Sequence, residues 1–301
     1  MAVTSPQVVA SECCAGLYPQ NTLSGFEFCL QSKVDGIEFD VHLSADGRVV
    51  VQHDYHLNPR ITRDAAGQWL TGDKQALCNL TLEQLQEYDV GRYLPDSREA
   101  RSYPDYQPRD GESIPTLESF LAAHRAARSN ATLWIELKTT PFDRTISSDP
   151  GALLSSVLSL VEQYGVVEQS VLLAFEWQLL LDAERACPDI GTDFLTINPA
   201  FIERLYPGRD AADLYRPMKP AEHDHSLPLT IAAAGGDWWG PYIADVNAAE
   251  VARAQDLGLQ VNVWGVESTD QTIEEALLLE ADAITLSDST KLQRCLVATS
   301  R

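Results

Sequence analysis

The chain has 301 residues, 45% of them apolar, with 22 basic against 44 acidic residues and a formal charge of -22 at pH 7. That length and apolar fraction suit one barrel-sized α/β domain spanning 1–301 and supply an ample core. The acidic excess argues against nucleic acid or an anionic membrane surface as a partner, and an anionic substrate would need a local cation to overcome the general field.

The N-terminal run Met1-Ala-Val-Thr-Ser-Pro has neither a basic start nor an apolar core, so no signal peptide is read there. Val8-Val9-Ala10 is a short strand. Pro19-Gln20-Asn21-Thr22 breaks the chain and offers an N-cap to a helix carrying Leu23, Phe26 and Leu30 at helical spacing. Gly36-Ile37-Glu38-Phe39-Asp40-Val41-His42 and Val49-Val50-Val51-Gln52-His53-Asp54 read as two strands about the turn Ala45-Asp46-Gly47. Alternation puts Glu38 and Asp40 on one face and Ile37 and Phe39 on the other. Two adjacent carboxylates lose hydration and repel each other, which a hard divalent cation would relieve. His53, ending the second strand, is placed for acid/base work beside such a cation.

Residues from about 54 to 115 lack strong periodicity apart from a helix signal at Thr81-Leu82-Glu83-Gln84-Leu85. They read as an insertion after the third strand, capping a site. In the helix opened by Pro115-Thr116-Leu117, His124 shares the apolar stripe of Phe120 and Leu121 and reads as a packed side chain. Leu133-Trp134-Ile135-Glu136-Leu137-Lys138 is a strand with Glu136 and Lys138 on one face. A metal for the carboxylate and a phosphate for the ammonium would account for such a costly pair. Helices at about 150–163, 177–186, 247–257 and 268–279 alternate with strands at 169–175, 190–196, 259–265 and 282–286. The stretch Asp237-Trp238-Trp239-Gly240-Pro241-Tyr242 reads as irregular. Strands near 8, 38, 50, 135, 172, 193, 262 and 284 number eight, which predicts a (β/α)8 TIM barrel with its site at the strand C-termini. The six cysteines show no zinc spacing, Cys13-Cys14 reads as buried thiols, and no apolar run reaches the ~20 residues of a membrane span. A reducing cytoplasm is the expected location.

Pro-Gln-Asn-Thr at 19–22, Asp-Gly-Ile-Glu-Phe-Asp-Val at 35–41, Val-Val-Val-Gln-His-Asp at 49–54, Ile-Pro-Thr-Leu-Glu at 114–118, Ile-Glu-Leu-Lys at 135–138 and Val-Asn-Val-Trp at 261–264 together resemble the glycerophosphodiester phosphodiesterase family. The resemblance implies a (β/α)8 barrel that hydrolyses small glycerophosphodiesters to glycerol 3-phosphate and an alcohol with one divalent cation, Mg²⁺ or Ca²⁺. By position it implies Glu38, Asp40 and Glu136 as metal ligands and His53 as one of two catalytic histidines. Lys138 would hold the phosphate within the catalytic set, and Trp264 would line the substrate pocket.

One segment departs most from that pattern, with smaller departures at Gln20, where the family has Glu, and at Leu286-Ser287-Asp288-Ser289, where it closes with Thr-Asp-x-Pro. The family's His-Arg-Gly, which supplies the second acid/base group and a phosphate clamp, is here Ser11-Glu12-Cys13. Ser11 does not titrate near neutrality, and Glu for Arg swings the local charge by two units against a phosphate. Three readings follow: a phosphodiesterase in which His42, His56 or the His223-Asp224-His225 loop stands in; an inactive relative, natural or engineered, that binds a metal and a phosphorylated ligand; or a competent enzyme altered at Ser11 and Glu12. Glu12 is also a candidate fourth metal ligand. A sphingomyelinase D-like phospholipase on a related barrel is a further alternative, and it too needs two histidines.

Overall fold

The computed structural model describes residues 5–299; residues 1–4, which include most of the N-terminal run discussed above, and 300–301 lie outside it. Eight parallel strands form the barrel: β1 (Gln7–Ala10), β2 (Gly36–Leu43), β4 (Thr132–Leu137), β5 (Ser170–Ala174), β6 (Gly191–Thr196), β7 (Trp238–Pro241), β8 (Gln260–Val266) and β9 (Ala283–Leu286). Each pairs with the next, and β9 returns to β1 to close the ring. Helices occupy the crossovers, as parallel pairing requires. The fold is the expected (β/α)8 barrel.

Its membership differs from the sequence reading in two places. The strand near 50 is β3 (Val49–Val51), which runs antiparallel to the end of β2, with His42 opposite Val50, and is not a stave of the barrel. The missing stave is β7, inside the stretch read as irregular. Trp-Trp-Gly-Pro has no β-branched residue and contains two strand breakers, so it carries little strand signal. Its pairing tolerates the proline: the ladder to β8 is registered at Trp238 and Trp239 and leaves Pro241 outside. The long connection before it holds helices at Pro199–Leu205 and Leu227–Ala234, both missed.

Alternation along the strands sorts the core. Outward residues pack under the helices. Thr22 caps the helix Leu23–Ser32 by accepting from the Gly25 amide, which sets Phe26 stacked on Phe120 at 4.3 Å and edge-on to Phe39 at 5.9 Å. Each such ring pair adds about 0.5–1.5 kcal/mol beyond burial. Inward, Trp134 and Trp238 meet edge to face at 4.9 Å with Val9, Leu173 and Leu195. Gly36 is required there, since a Cβ would lie 2.4 Å from Trp134 Nε1.

The segment between β3 and the helix Leu117–Ala127 has a small core of its own, Val50, Leu57, Leu77, Leu85, Val90 and Ile114. Arg63 cross-links it through Asp89 at 2.6 Å and Asp110 at 2.5 Å. It is tied to the barrel rim by the Tyr93 hydroxyl on the Ala15 carbonyl (2.9 Å) and the Tyr103 hydroxyl on Ser287 Oγ (3.1 Å). Among the described residues no helix is long and apolar enough to cross a membrane.

Candidate active site

The pairing of β2 with β4 puts Asp40 directly opposite Glu136, so two inward carboxylates meet, and Glu38 sits one inward position below Asp40. Ligand oxygens of Glu38, Asp40 and Glu136 all lie within 4.8 Å of one another. Lys138, just past β4, lays its ammonium 2.8 Å from Glu136 Oε1 and 3.4 Å from Asp40 Oδ1. Asn21 holds Asp40 from the other side: its amide donates to Asp40 Oδ2 (2.8 Å), and its carbonyl oxygen accepts from the Asp40 backbone amide (3.1 Å). The sequence reading used Pro-Gln-Asn-Thr as a chain break and cap and missed this role.

Three carboxylates in a dry site face one ammonium. Burial, then Asp40 and Glu136, push the Glu38 carboxyl well above its ordinary range. Burial raises Glu136 against the pull of Lys138. Asp40 is lowered despite burial, through Lys138, His53 and the Asn21 amide. Asp40 Oδ1 is buried and makes no hydrogen bond, with the Lys138 ammonium at 3.4 Å as its ion-pair partner. An all-oxygen cluster with three carboxylates against one ammonium fits a hard divalent cation. Among the described residues this cluster comprises Glu38, Asp40 and Glu136, and the Glu12 carboxylate is outside it.

His53 follows β3 at the same barrel mouth, half-exposed, with Nδ1 3.1 Å from Asp54 Oδ1. Burial and Lys138 pull its pKa down, but Asp40, Glu12 and Asp54 prevail and raise it to about 10. These carboxylates favour the protonated ring. None of the three suggested substitutes lines the cleft that His53 lines. His42 is buried, with Nε2 3.4 Å from the His53 carbonyl, and burial lowers its pKa to about 3, so it supports the His53 backbone as a neutral ring. His56 makes a backbone bridge to Ala76 at the base of the insertion. His225 lines a separate crevice with Asn198 and Arg253. His124 is packed as expected, 3.0 Å from the Ala131 carbonyl, and the described cysteines are free, Cys13 and Cys14 among the buried ones.

The sequence profile of the glycerophosphoryl diester phosphodiesterase family matches residues 13–290. This chain belongs to that family. A Silicibacter pomeroyi structure classed with the glycerophosphoryl diester phosphodiesterases superposes with a TM-score of 0.84 at 32% identity, covering 99% of this chain and 95% of that one. A glycerophosphodiester phosphodiesterase of Bacillus altitudinis is 29% identical over 202 residues, 67% of this chain and 71% of its own. YhdW of Bacillus subtilis, also classed with these enzymes, is 29% identical over 63% of this chain; the match spans 65% of that protein, just under two thirds. An Oleispira antarctica phosphodiesterase solved with the product sn-glycerol-3-phosphate shares the fold at 19% identity and a TM-score of 0.67 over 97% of both chains.

In this family member the profile match begins just after Ser11 and Glu12. After β1 the chain enters a left-handed turn, with φ of 46° at Glu12, 59° at Cys13 and 67° at Cys14. Left-handed backbone costs a non-glycine residue roughly 1–2 kcal/mol, and such strain concentrates at functional sites. The turn aims the Glu12 amide at Glu38 Oε2 (2.8 Å) and sets Ser11 Oγ 3.2 Å from the same oxygen. Glu12 lines a cleft of about 480 Å³ that His53 and Asp54 also line, and its carboxyl is close enough to feel both of them. Burial is the largest influence on its pKa, which rises to about 7. On the far side of the mouth Trp264 donates to the Gly240 carbonyl (2.9 Å) and packs against Tyr242 and Phe175, with ring centroids 5.0 and 5.6 Å away. Beside it Glu176 is gripped by the Arg144 guanidinium and accepts from Thr139 Oγ1 at 2.7 Å, which fastens the loop after β4. Neither Arg144 nor Glu176 was singled out in the sequence, because neither belongs to a patterned strand.

Proposed function

We propose that this chain is a metal-dependent phosphoric diester hydrolase that releases glycerol 3-phosphate and an alcohol from glycerophosphodiesters, at a rate held down by Ser11 and Glu12. The observation that carries the reading is the buried Glu38–Asp40–Glu136 cluster with the Lys138 ammonium against it and His53 at the same mouth. A divalent cation, Mg²⁺ or Ca²⁺, held by the three carboxylates would supply positive charge against the phosphate oxygens. Lys138, fixed between Asp40 and Glu136, adds a second positive charge where the phosphoryl group develops negative charge. Asp54 orients the His53 ring through Nδ1. A water oxygen forms the new bond to phosphorus and sheds its proton to solvent, the bond to the alcohol oxygen breaks, and Nε2 of the protonated His53 gives its proton to that departing alkoxide. Trp264 with Tyr242 and Phe175 walls the glycerol side. The segment 54–115 caps the other.

What the site lacks is a second titrating group at Ser11 and a guanidinium at Glu12. Loss of one positioned acid or base typically costs ~10²–10⁴ in rate. The test is glycerol 3-phosphate release from glycerophosphocholine with Mg²⁺ or Ca²⁺, by this chain and by the Ser11→His/Glu12→Arg double variant. Slow release by the chain, abolished by His53→Ala and accelerated at least ~10²-fold in the double variant, supports the reading. No release by either protein overturns it and leaves binding without turnover as the activity of the site.

A further inference from the structure

The departure at Glu12 does more than remove a phosphate clamp, because of the cleft it lines. This cleft runs outward from His53 between the insertion and the loops after β8 and β9. Arg60 is paired with Glu99 at 3.1 Å and Asp54 with His53 at 3.1 Å, while the Lys291 ammonium, anchored on the neutral Ser268 carbonyl at 2.8 Å, keeps its charge. Among the described lining residues, the carboxylates of Glu12, Asp105, Glu267 and Asp288, the last accepting from the Thr290 backbone amide and Oγ1, outnumber the cations of Arg98 and Lys291. The Tyr103 ring, half-buried and fixed by its hydroxyl bond to Ser287, adds a π-face to the same wall. A cavity with surplus negative charge and an aromatic face favours a cation.

The cleft also has a defined place in the reaction. His53 lines it, and in the function proposed above, on which this inference rests, His53 protonates the departing alkoxide. The leaving alcohol therefore extends into this cleft, past Glu12. We propose that Glu12 makes the site selective for diesters whose leaving alcohol carries a positive charge, an amino alcohol with a primary or quaternary ammonium. Glu12, at the inner end, meets the ammonium, and Asp105 and Glu267 at the exposed rim set the field that draws it in. The same residue that weakens the hold on phosphate thereby strengthens the hold on the other end of the substrate.

The test compares glycerophosphocholine and glycerophosphoethanolamine with glycerophosphoglycerol, whose leaving alcohol is neutral, on the full chain with saturating Ca²⁺. Two readouts are taken: the ratio of kcat/KM values, and the ratio of dissociation constants by calorimetry. Both should favour the cationic alcohols by about fivefold, the scale of one partly screened charge contact. Glu12→Gln should bring the ratios near unity and Glu12→Arg should reverse them, with thermal melting confirming that each variant is folded. Equal handling of the three diesters by the chain, or a preference unchanged in Glu12→Gln, overturns the inference. If no diester is turned over, the function proposed above fails, and the binding ratios still decide this one: equal affinities overturn it, and a Glu12-dependent preference supports the cleft as an amino-alcohol site.

Discussion

Lys138 shows how closely charge balance is drawn at single residues. It stands alone against Glu136 and Asp40, and these two carboxylates hold its ammonium charged despite burial. Removing one partner from a buried ion set costs about 3–5 kcal/mol, because the remaining charges stay dry and unpaired. Lys138→Met should therefore lower Tm strongly in EDTA and recover part of the loss with Ca²⁺, which takes over the neutralising role. By the same logic Ca²⁺ should raise the Tm of the unaltered chain, by about 2.7 kcal/mol of stability at a hundredfold excess over Kd, and Asp40→Asn should blunt that rise. Equal melting with and without the ion would remove the metal assignment. Asp193 provides a second single-residue test. It is fully buried inside the barrel, accepts from Asn262 (2.8 Å), and leaves Oδ1 without a partner. Burial raises its pKa to about 7. The unfolded chain releases this proton near pH 4 and the folded one near pH 7, so stability falls as pH rises between the two and the penalty is complete above 7. Across pH 4 to 8 the melting temperature of Asp193→Asn should improve relative to the unaltered chain, by up to about 4 kcal/mol in stability. A constant difference would mean that Asp193 titrates normally.

At the scale of strands and helices, what could be read in advance was whatever repeats locally. Glu38 with Asp40 and Glu136 with Lys138 were legible because a two-residue period puts them on inward faces whatever the neighbours are. Their convergence needed the additional fact that β2 and β4 are adjacent, which follows from β3 turning back on β2 as a hairpin and never entering the barrel. That hairpin and β7 were exchanged in the strand count, since Val-Val-Val signals a strand wherever it pairs and Trp-Trp-Gly-Pro scarcely signals one at all. Tertiary packing decides β7. Gly240 brings the strand against Asp193 and Leu195, and a Cβ there would lie 2.6 Å from Asp193 Oδ1 and 2.7 Å from Leu195 Cδ2. Gly240→Ala should thus cost about 1–3 kcal/mol by overpacking, even though alanine suits a strand no worse than glycine does. A melt unchanged by this substitution would show that the barrel interior yields there. Side chains such as Asn21, Glu176 and Tyr103 were silent in the sequence for a related reason: each sits on a turn or loop, and its meaning lies in a partner between 19 and 184 positions away.

The whole molecule carries a formal charge of -22, and the substrates proposed above include anions. Lys138 and a divalent ion are local, while the surrounding field is repulsive to a phosphodiester and reaches about a Debye length into solution, ~10 Å at 0.1 M salt. Added salt screens that repulsion but also screens the attraction between the cleft and an ammonium group. The two substrates named above separate these effects. Glycerophosphoglycerol carries one net negative charge, so its kcat/KM should rise about twofold to fivefold between ~20 and ~200 mM KCl with the divalent ion kept saturating. Glycerophosphocholine carries no net charge, feels less of the general field, and has its cationic end held in the acidic cleft, so its kcat/KM should stay level or fall. The preference for the cationic alcohol should narrow from low to high salt and be absent throughout in Glu12→Gln. Parallel salt profiles for the two substrates would mean that the acidic surface acts on solubility alone. Selectivity would then have to come from the shape of the cleft beside His53 and Tyr103.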